Sequence, residues 1–231
     1  MERNLNEAIS KIALDMGAGR VGFANLEVLP PKERLGYAKA VSVIIPLSRG
    51  VLSQIKDAPT ITYFSHYRAV NRLLDQITLR ILLLIEAQGY EAFSVPASQS
   101  LPGRADPYRG VFQHKTAAVL SGQGWIGKSA LFVHPDYGPA VRLGTVLTDA
   151  PLETEEVAPK SQCGGCDACK RACPAMAIEG VTWTPGMARN MLYDAHSCSA
   201  HMKEAYQHIG RGSVCGLCIV SCPYFKKNLK P

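Results

Sequence analysis

The chain has 231 residues, of which 47% are hydrophobic, and its formal net charge is +6. This length allows one large domain or two small ones, and the composition is that of an ordinary globular protein. The most apolar run, residues 77–87, is interrupted by Arg80 and Glu86 and is too short to span a bilayer. Charged residues within the first twenty positions exclude a secretory signal, so we expect a cytoplasmic protein without a membrane partner.

Hydrophobic periodicity predicts the elements of the first half of the chain. Residues 4–16 have the apolar spacing of a helix, and residues 20–26 and 40–47 have the composition of buried strands. Residues 66–88 predict a long helix, and residues 90–95 predict the strand that follows it.

The middle of the chain continues this alternation. Residues 98–108 contain two prolines and one glycine without periodicity, which predicts a loop. Residues 130–133 and 142–148 predict two further strands. Strands that alternate with helices favour an α/β layer structure.

The composition changes at residues 151–162, which contain three glutamates and two prolines and few apolar side chains. Such a segment is typical of a domain boundary. We therefore predict an α/β domain over residues 1–152 and a second domain over residues 153–231.

All eight cysteines lie in this second domain, between Cys163 and Cys222. Cytosolic proteins rarely contain disulfides, so this clustering indicates metal binding. The first motif reads Cys163-x2-Cys166-x2-Cys169-x3-Cys173-Pro174. In proteins with two clusters, the first three cysteines of such a run bind one [4Fe–4S] cluster and the fourth binds the other.

The second motif, Cys215-x2-Cys218-x3-Cys222-Pro223, has one cysteine fewer, because Gly212 stands where the missing one would be. Cys198 is the one cysteine outside both motifs, so by elimination it supplies the missing ligand. The first cluster then has the ligands Cys163, Cys166, Cys169 and Cys222, and the second has Cys173, Cys198, Cys215 and Cys218.

Zinc is the alternative metal. It favours paired Cys-x2-Cys knuckles with longer spacers, which differs from a tight run of four cysteines followed by proline. The pattern therefore favours two [4Fe–4S] clusters, each of which carries about two negative charges when oxidised and bound by four thiolates.

Residues 122–129, Gly-Gln-Gly-Trp-Ile-Gly-Lys-Ser, match the phosphate-loop pattern. A phosphate loop follows a strand and opens a helix. Residues 117–120 could form the strand, but residues 130–133 are strand-like and leave no room for the helix. There are two other interpretations of residues 122–129. They form a glycine-rich turn in the core, or they form a surface against a flat cofactor with Trp125 as a wall.

Several segments resemble the epoxyqueuosine reductase family. They are residues 114–128, HKTAAVLSGQGWIGK, residues 143–152, LGTVLTDAPL, and the Cys-Gly-x-Cys sequence at 163–166. Gly212 and the isolated Cys198 also match, and the resemblance covers about residues 63–223. The reductive dehalogenases are similar to this family at a greater distance.

The resemblance implies a nitroreductase-like cobalamin-binding layer domain followed by a ferredoxin-like domain with two [4Fe–4S] clusters. It implies that the cobalamin is bound base-off and receives electrons through the clusters. The expected partners are a low-potential donor such as ferredoxin or flavodoxin and a small-molecule or protein acceptor. Motif matching assigns to the corrin Trp125, Gly127, Lys128, Ser129 and Gly216, although the family usually has asparagine at position 129.

The chain also departs from the family. The family's proton-donating aspartate has no counterpart in residues 95–99, Val-Pro-Ala-Ser-Gln. Tyr63, His66 and Tyr67 begin a helix where the family has polar residues facing its substrate, so they are candidate proton donors, or else they pack on the core. Only eight residues follow Pro223, which disfavours tRNA as a partner because the family's tRNA-binding repeats would follow there.

The first hypothesis is therefore a cobalamin-dependent iron–sulfur reductase, an oxidoreductase resembling epoxyqueuosine reductase. The alternative is a non-catalytic electron-transfer or corrinoid-reducing protein that serves another enzyme. ATP-driven redox activation, which would need the phosphate-loop pattern, is a third hypothesis.

Overall fold

The structure is a computed structural model that describes residues 4–99, 101, 108–157, 160–210 and 212–227. The chain divides into two compact units, and each unit collects segments from different parts of the sequence. The first unit comprises Met1–Pro46, Val70–Gln123 and Arg142–Ala158, and the second comprises Leu47–Ala69, Gly124–Val141 and Pro159–Pro231. The boundary at residue 152 stays a prediction.

The described residues contain six strands and eight α-helices. The strands are β1 Arg20–Asn25, β2 Lys39–Pro46, β3 Ala92–Val95, β4 Trp125–Ile126, β5 Phe132–Val133 and β6 Val141–Thr148. The helices are α1 Leu5–Asp15, α2 Arg49–Leu52, α3 Ile61–Glu86, α4 His114–Leu120, α5 Ala168–Arg171, α6 Ala195–Tyr206, α7 Leu217–Val220 and α8 Pro223–Lys226, with a 3-10 turn at Arg189–Met191.

The first unit is built on a four-stranded sheet with the order β1-β2-β6-β3. β1 pairs antiparallel with β2, with Arg20 opposite Ile44, and β3 pairs antiparallel with β6. α1 and α4 pack on β1. Leu26 and Leu147 are fully buried in the core of this unit. The mixed α/β class predicted from the sequence is confirmed.

The second unit contains a short antiparallel hairpin of β4 and β5, the beginning of α3 and the helices α5–α8. The hairpin requires glycine at position 124, because a Cβ there would clash with the carbonyl oxygen of Val133. No helix in the described parts of either unit is long and apolar enough to cross a membrane.

Two element predictions are wrong in detail. The long helix begins at Ile61 and not at residue 66, because the Thr60 hydroxyl accepts a hydrogen bond from the Tyr63 N–H at 3.1 Å and caps the helix there. Residues 117–120 form the end of α4 and are not a strand. Of the predicted loop 98–108, residues 100 and 102–107 lie outside the described residues.

His114, the first residue of α4, connects that helix to the sheet. Its Nε2 lies 3.0 Å from the Pro96 carbonyl oxygen and its Nδ1 lies 2.9 Å from the Thr145 hydroxyl. Since a carbonyl oxygen only accepts, Nε2 carries the proton and Nδ1 accepts from Thr145. Burial, with the nearby positive charge of Arg142, lowers the pKa of His114 to about 4.

We expect this histidine to make the stability of the first unit depend on pH. The folded pKa lies below the unfolded value of about 6.5, so stability is full above that value and falls as the pH drops toward 4. The loss between pH 7 and pH 5 should be at most about 2 kcal/mol. Urea unfolding followed by circular dichroism should show this loss for the native chain and a smaller one for His114→Asn. Equal losses for both would contradict the assignment.

β6 also requires close contact with α3. A Cβ at Gly144 would lie 2.9 Å from the Thr78 Cγ2 atom and 3.0 Å from the Leu74 Cδ2 atom. We expect Gly144→Ala to destabilise the protein by about 1–3 kcal/mol through overpacking. Gly50→Ala is the matched control, because its Cβ would meet nothing closer than 3.8 Å. Thermal unfolding measures both, and equal melting temperatures would contradict the close contact.

Candidate iron–sulfur centre

The second unit contains every residue that the sequence analysis selected. These are the proton-donor candidates Tyr63, His66 and Tyr67, the corrin candidates Trp125, Gly127, Lys128, Ser129 and Gly216, and the eight cysteines. Segments far apart in the sequence thus meet in one unit.

Five of the cysteines line one cavity of about 110 Å³, and they are Cys163, Cys166, Cys169, Cys218 and Cys222. Cys163 and Cys166 lie in the turn before α5, where the Cys166 N–H donates to the Cys163 carbonyl oxygen at 3.1 Å. Cys169 lies within α5, and Cys222 directly precedes α8. Cys163, Cys166, Cys169 and Cys222 are the predicted ligands of the first cluster, and we call these four residues the first thiol group; Cys218, which also lines the cavity, is a predicted ligand of the second.

The pKa shifts of these thiols also indicate that the four sulfurs lie near one another. Burial raises the pKa of Cys169, and the neighbouring Cys163 and Cys222 raise it further. Burial also raises the pKa of Cys222, with Cys163 and Cys166 adding to the effect. Neutral thiols are therefore favoured here without metal, whereas a coordinated metal ion deprotonates its thiols.

The other four cysteines, Cys173, Cys198, Cys215 and Cys218, form the second thiol group. Cys198 lies on α6 and Cys218 on α7. Burial raises the pKa of Cys218 strongly, and Cys215, Cys198, Cys173 and, least, Cys169 of the first thiol group add to it in that order. Burial also raises the pKa of Cys215, to which Cys198 and Cys173 contribute. These four sulfurs are therefore electrostatic neighbours.

The arrangement of the thiols differs from that of a single-ion site. A tetrahedral zinc ion with Zn–S bonds of about 2.3 Å would hold its sulfurs about 3.8 Å apart. Within the described ranges, no three His, Cys, Asp or Glu side chains are placed to hold one metal ion. Four thiols spread around a cavity fit the larger [4Fe–4S] cube.

Three corrin candidates lie at the first thiol group. Gly127, Lys128 and Ser129 line the same cavity, and a Cβ at Gly127 would lie 3.6 Å from the Cys163 sulfur. The Lys128 side chain is 8% exposed, so it brings a positive charge to a site where thiolates would form. This charge would stabilise an anionic cluster.

The other two corrin candidates have contacts within the unit. Trp125 is 1% exposed and packs edge-on against Tyr224, with ring centroids 4.9 Å apart. Gly216 has φ of 90° at the start of α7, and a Cβ there would lie 2.9 Å from both Ile55 and Tyr63. Neither residue is among the described residues that line the cavity.

The proton-donor candidates have different environments. Tyr63 is 2% exposed and contacts the Tyr67 ring edge-on at 6.5 Å. The His66 Nε2 accepts the Ser48 N–H at 2.9 Å, so its Nδ1 carries the proton, and burial lowers its pKa. Core packing thus accounts for Tyr63, whereas His66 and Tyr67 are half-buried.

The phosphate-loop pattern lacks the required surroundings. It follows helix α4 and not a strand, and residues 127–131 form turns that lead into β5. The N–H groups of a helix N-terminus, which bind phosphates, are therefore not positioned beside Lys128. The structure does not support the ATP hypothesis.

Two residues near the thiols were not selected from the sequence. Burial raises the pKa of Tyr193 and of Tyr206, and the neighbouring Cys198 and Cys215 raise it further, respectively. No motif marks these tyrosines, because Tyr193 precedes α6 and Tyr206 is its last residue.

Residues 162–225 match the family model of a 4Fe–4S double cluster binding domain. Over 95% of its length the chain is 24% identical to the epoxyqueuosine reductase of Listeria monocytogenes, of which it covers 64%. It is 28% identical to the epoxyqueuosine reductase of Synechocystis, with 96% of this chain and 75% of that protein aligned. The chain thus spans less than two thirds of the Listeria protein.

Solved structures share the fold. The catabolic reductive dehalogenase NpRdhA matches with a TM-score of 0.73 at 20% identity, over 95% of this chain and 31% of its own. Epoxyqueuosine reductase from Streptococcus thermophilus matches with a TM-score of 0.60 at 20% identity, over 96% of this chain and 66% of its own.

The fold and the cysteine domain define a mixed α/β protein with a double [4Fe–4S] cluster domain. The predicted ferredoxin-like double-cluster domain is confirmed. In sequence the chain is similar to epoxyqueuosine reductases, and it shares its fold with solved structures of an epoxyqueuosine reductase and a reductive dehalogenase.

The division of the cysteines into two thiol groups predicts how much iron each cysteine variant should bind. Cys198→Ser removes one ligand of the second group, so iron should fall from about eight to about four atoms per anaerobically purified chain. Cys166→Ser is the reciprocal control and should remove the other half. Iron and sulfide analysis measures both, and full retention of iron in Cys198→Ser would contradict the grouping.

Proposed function

We propose that the chain is an iron–sulfur, cobalamin-dependent reductase. In this function, the eight cysteines would hold two [4Fe–4S] clusters, which would supply one-electron transfer from a low-potential donor. A base-off corrinoid would supply the reduction of a small-molecule or protein acceptor. The observation that supports the proposal is that all eight cysteines lie in the second unit, where five of them line one cavity.

The way in which each cysteine motif is divided between the two thiol groups favours fast electron transfer between the clusters. Cys173 follows α5, which carries Cys169, yet it belongs to the second group. Cys222 follows α7, which carries Cys218, yet it belongs to the first. Because α5 and α7 are also in contact, the two clusters would lie close together. Each cluster holds one electron, so two clusters supply a two-electron reduction in single steps.

The charge of the second unit indicates the type of donor. It contains 13 Lys and Arg residues and six Asp and Glu residues, for a net charge of +7. Two oxidised clusters with their thiolates would reduce this to about +3. A positive surface attracts acidic one-electron carriers and accelerates their association. Ferredoxin or flavodoxin meets this requirement.

The corrinoid enters from the relatives, since a solved neighbour is described as a reductive dehalogenase with a B12-dependent mechanism. A bound corrinoid would supply the cobalt at which the acceptor is reduced. In this chain Gly127, Lys128 and Ser129 would hold it at the cavity. Gly216 would offer bare backbone to its face, although Tyr63 and Ile55 already fill the space beside that glycine.

The acceptor would also need protons. The family's aspartate is absent from residues 95–99. Among the three candidates, His66 has an Nδ1 proton and partial exposure, and Tyr67 is also half-buried, whereas Tyr63 is enclosed. We propose His66 and Tyr67 as the donors to test first.

The contacts of two corrin candidates, Trp125 and Gly216, favour a second function. Trp125 packs on Tyr224 and Gly216 packs on Tyr63, so core packing accounts for both residues without a bound corrin ring. The chain would then be an electron-transfer or corrinoid-reducing protein that serves another enzyme. tRNA is not proposed as a partner.

A cobalamin titration distinguishes the two functions. We expect the iron-loaded chain to shift the visible spectrum of hydroxocobalamin to the base-off form at one equivalent. Ser129→Asn, which restores the residue usual in the family, should tighten binding several-fold because it adds a hydrogen-bonding amide at the cavity.

Gly165→Ala is the matched control for this titration, since its Cβ would meet nothing within 4 Å. It should leave the titration unchanged. An unshifted spectrum from a chain with full iron content would contradict the corrinoid function and favour the carrier.

A further inference from the structure

The positive charge of the second unit is concentrated beside the first thiol group. Residues 160–171 and 222–227, which contain the four cysteines of this group, have five Lys and Arg residues and one Asp, for a net charge of +4. Residues 172–221, which contain the four cysteines of the second group, have three Lys and Arg residues and three acidic residues, for a net charge of zero. The segments around the two groups therefore differ by four charges.

Bound clusters would keep this difference. Because an oxidised cluster with its thiolates carries about two negative charges, the segments of the first group would keep about +2 and those of the second would reach about −2. An acidic protein would therefore be attracted to the first group and repelled by the second.

The first thiol group also contains the most accessible cysteine. Cys166 is exposed, whereas the other seven cysteines are half-buried. Gly164 and Gly165 precede it in the same turn, and both are exposed. A Cβ at either glycine would meet nothing within 4 Å, so the backbone of this turn is open to an approaching protein. A cluster bound here would have one edge near the surface.

α8 holds positive charge next to this turn. The Tyr224 hydroxyl of α8 donates to the Gln162 carbonyl oxygen at 3.4 Å, which joins the helix to the segment that enters the turn. Tyr224 also lines the same cavity as Cys166. The Lys227 Nζ lies 5.6 Å from the centre of the Tyr224 ring. The positively charged end of α8 therefore lies near the cluster site.

Two acidic residues lie near this surface. Asp167, which follows Cys166, forms an ion pair with Arg171. Asp136 lies in the turn that packs against the backbone of Tyr224. Within the described ranges no ion pair neutralises the exposed lysines of the two segments, which are Lys160, Lys226 and Lys227. The surface therefore stays positive.

We propose that an acidic one-electron carrier protein docks on the surface formed by residues 163–166 with Lys160, Lys226 and Lys227, and that electrons enter the chain through the first cluster. We call this the donor surface. A small surface is sufficient, because electron-transfer complexes are weak and bury less than about 1,200 Å² in total. At each encounter the carrier loses one electron and the cluster gains it, without transfer of a proton or a bond.

The donor surface rests on the proposed binding of two clusters. It would serve the reductase and the electron-transfer protein alike, because both need an electron donor. The bare glycines beside Cys166 let the carrier approach the cluster closely, and the lysines orient it through their charge.

Anaerobic stopped-flow mixing with flavodoxin hydroquinone tests the donor surface on the iron-loaded chain without cobalamin. Oxidation of this probe to its semiquinone is followed by visible absorbance. At an ionic strength of about 0.15 M, charges beyond about 8 Å are largely screened. Lys226→Glu with Lys227→Glu should then lower the second-order rate constant about tenfold, because two attractive charges become repulsive. Reduction by photoexcited deazaflavin, a small neutral reductant, should be unchanged.

Lys56→Glu with Lys203→Glu is the charge-matched control. Both lysines are exposed, and Lys203 lies on α6 with Cys198 of the second group. This double variant changes the net charge equally but should slow flavodoxin oxidation less than about twofold. If the control is slowed as much as the donor-surface variant, or if neither is slowed, the donor surface is wrong and the double-cluster function stands. A native chain without iron would remove the function itself.

Carbodiimide cross-linking of the native iron-loaded chain to flavodoxin covers the case in which a variant loses its clusters. This reagent joins a carboxylate of the carrier to a lysine amine in contact with it. Peptide mapping should find the cross-links at Lys160, Lys226 or Lys227. Cross-links confined to other lysines, such as Lys56 or Lys203, or no cross-link at all, would overturn the donor surface.

Discussion

The second unit depends on the convergence of eight thiols, and this convergence is favourable only when iron converts them to ligands. Without metal, burial and mutual repulsion raise the pKa of the cysteines, most strongly at Cys218. Small helices of four residues, such as α5, α7 and α8, contribute little stability alone. Metal–sulfur bonds would therefore supply much of the free energy that holds this unit together.

The second unit also collects segments that lie far from the cysteine motifs in the sequence. The hairpin of β4 and β5 brings Gly127, Lys128 and Ser129 to the first thiol group, although residues 142–148 return to the sheet of the first unit. Residues 47–69 likewise supply Tyr63, whose ring occupies the space that a side chain at Gly216 would need. The second unit thus brings the cysteine motifs together with two segments, residues 47–69 and 124–141, that precede both motifs in the sequence.

Backbone N–H groups also form hydrogen bonds at the thiol segments. The Ala177 N–H donates to the Cys173 sulfur at 3.4 Å, and the Phe225 N–H donates to the Cys222 carbonyl oxygen at 3.0 Å. Hydrogen bonds to the sulfurs are one determinant of the reduction potential of an iron–sulfur cluster.

The sequence by itself determined the features that depend on local patterns. Apolar spacing was sufficient for α1 and β2, because a buried face repeats with the period of its own element. The cysteine spacing was sufficient to predict a double-cluster domain, since tight loops limit which thiols can share a cube. Only the tertiary structure placed Trp125 against Tyr224 and Tyr63 beside Gly216, because these contacts join residues whose separation no periodicity encodes.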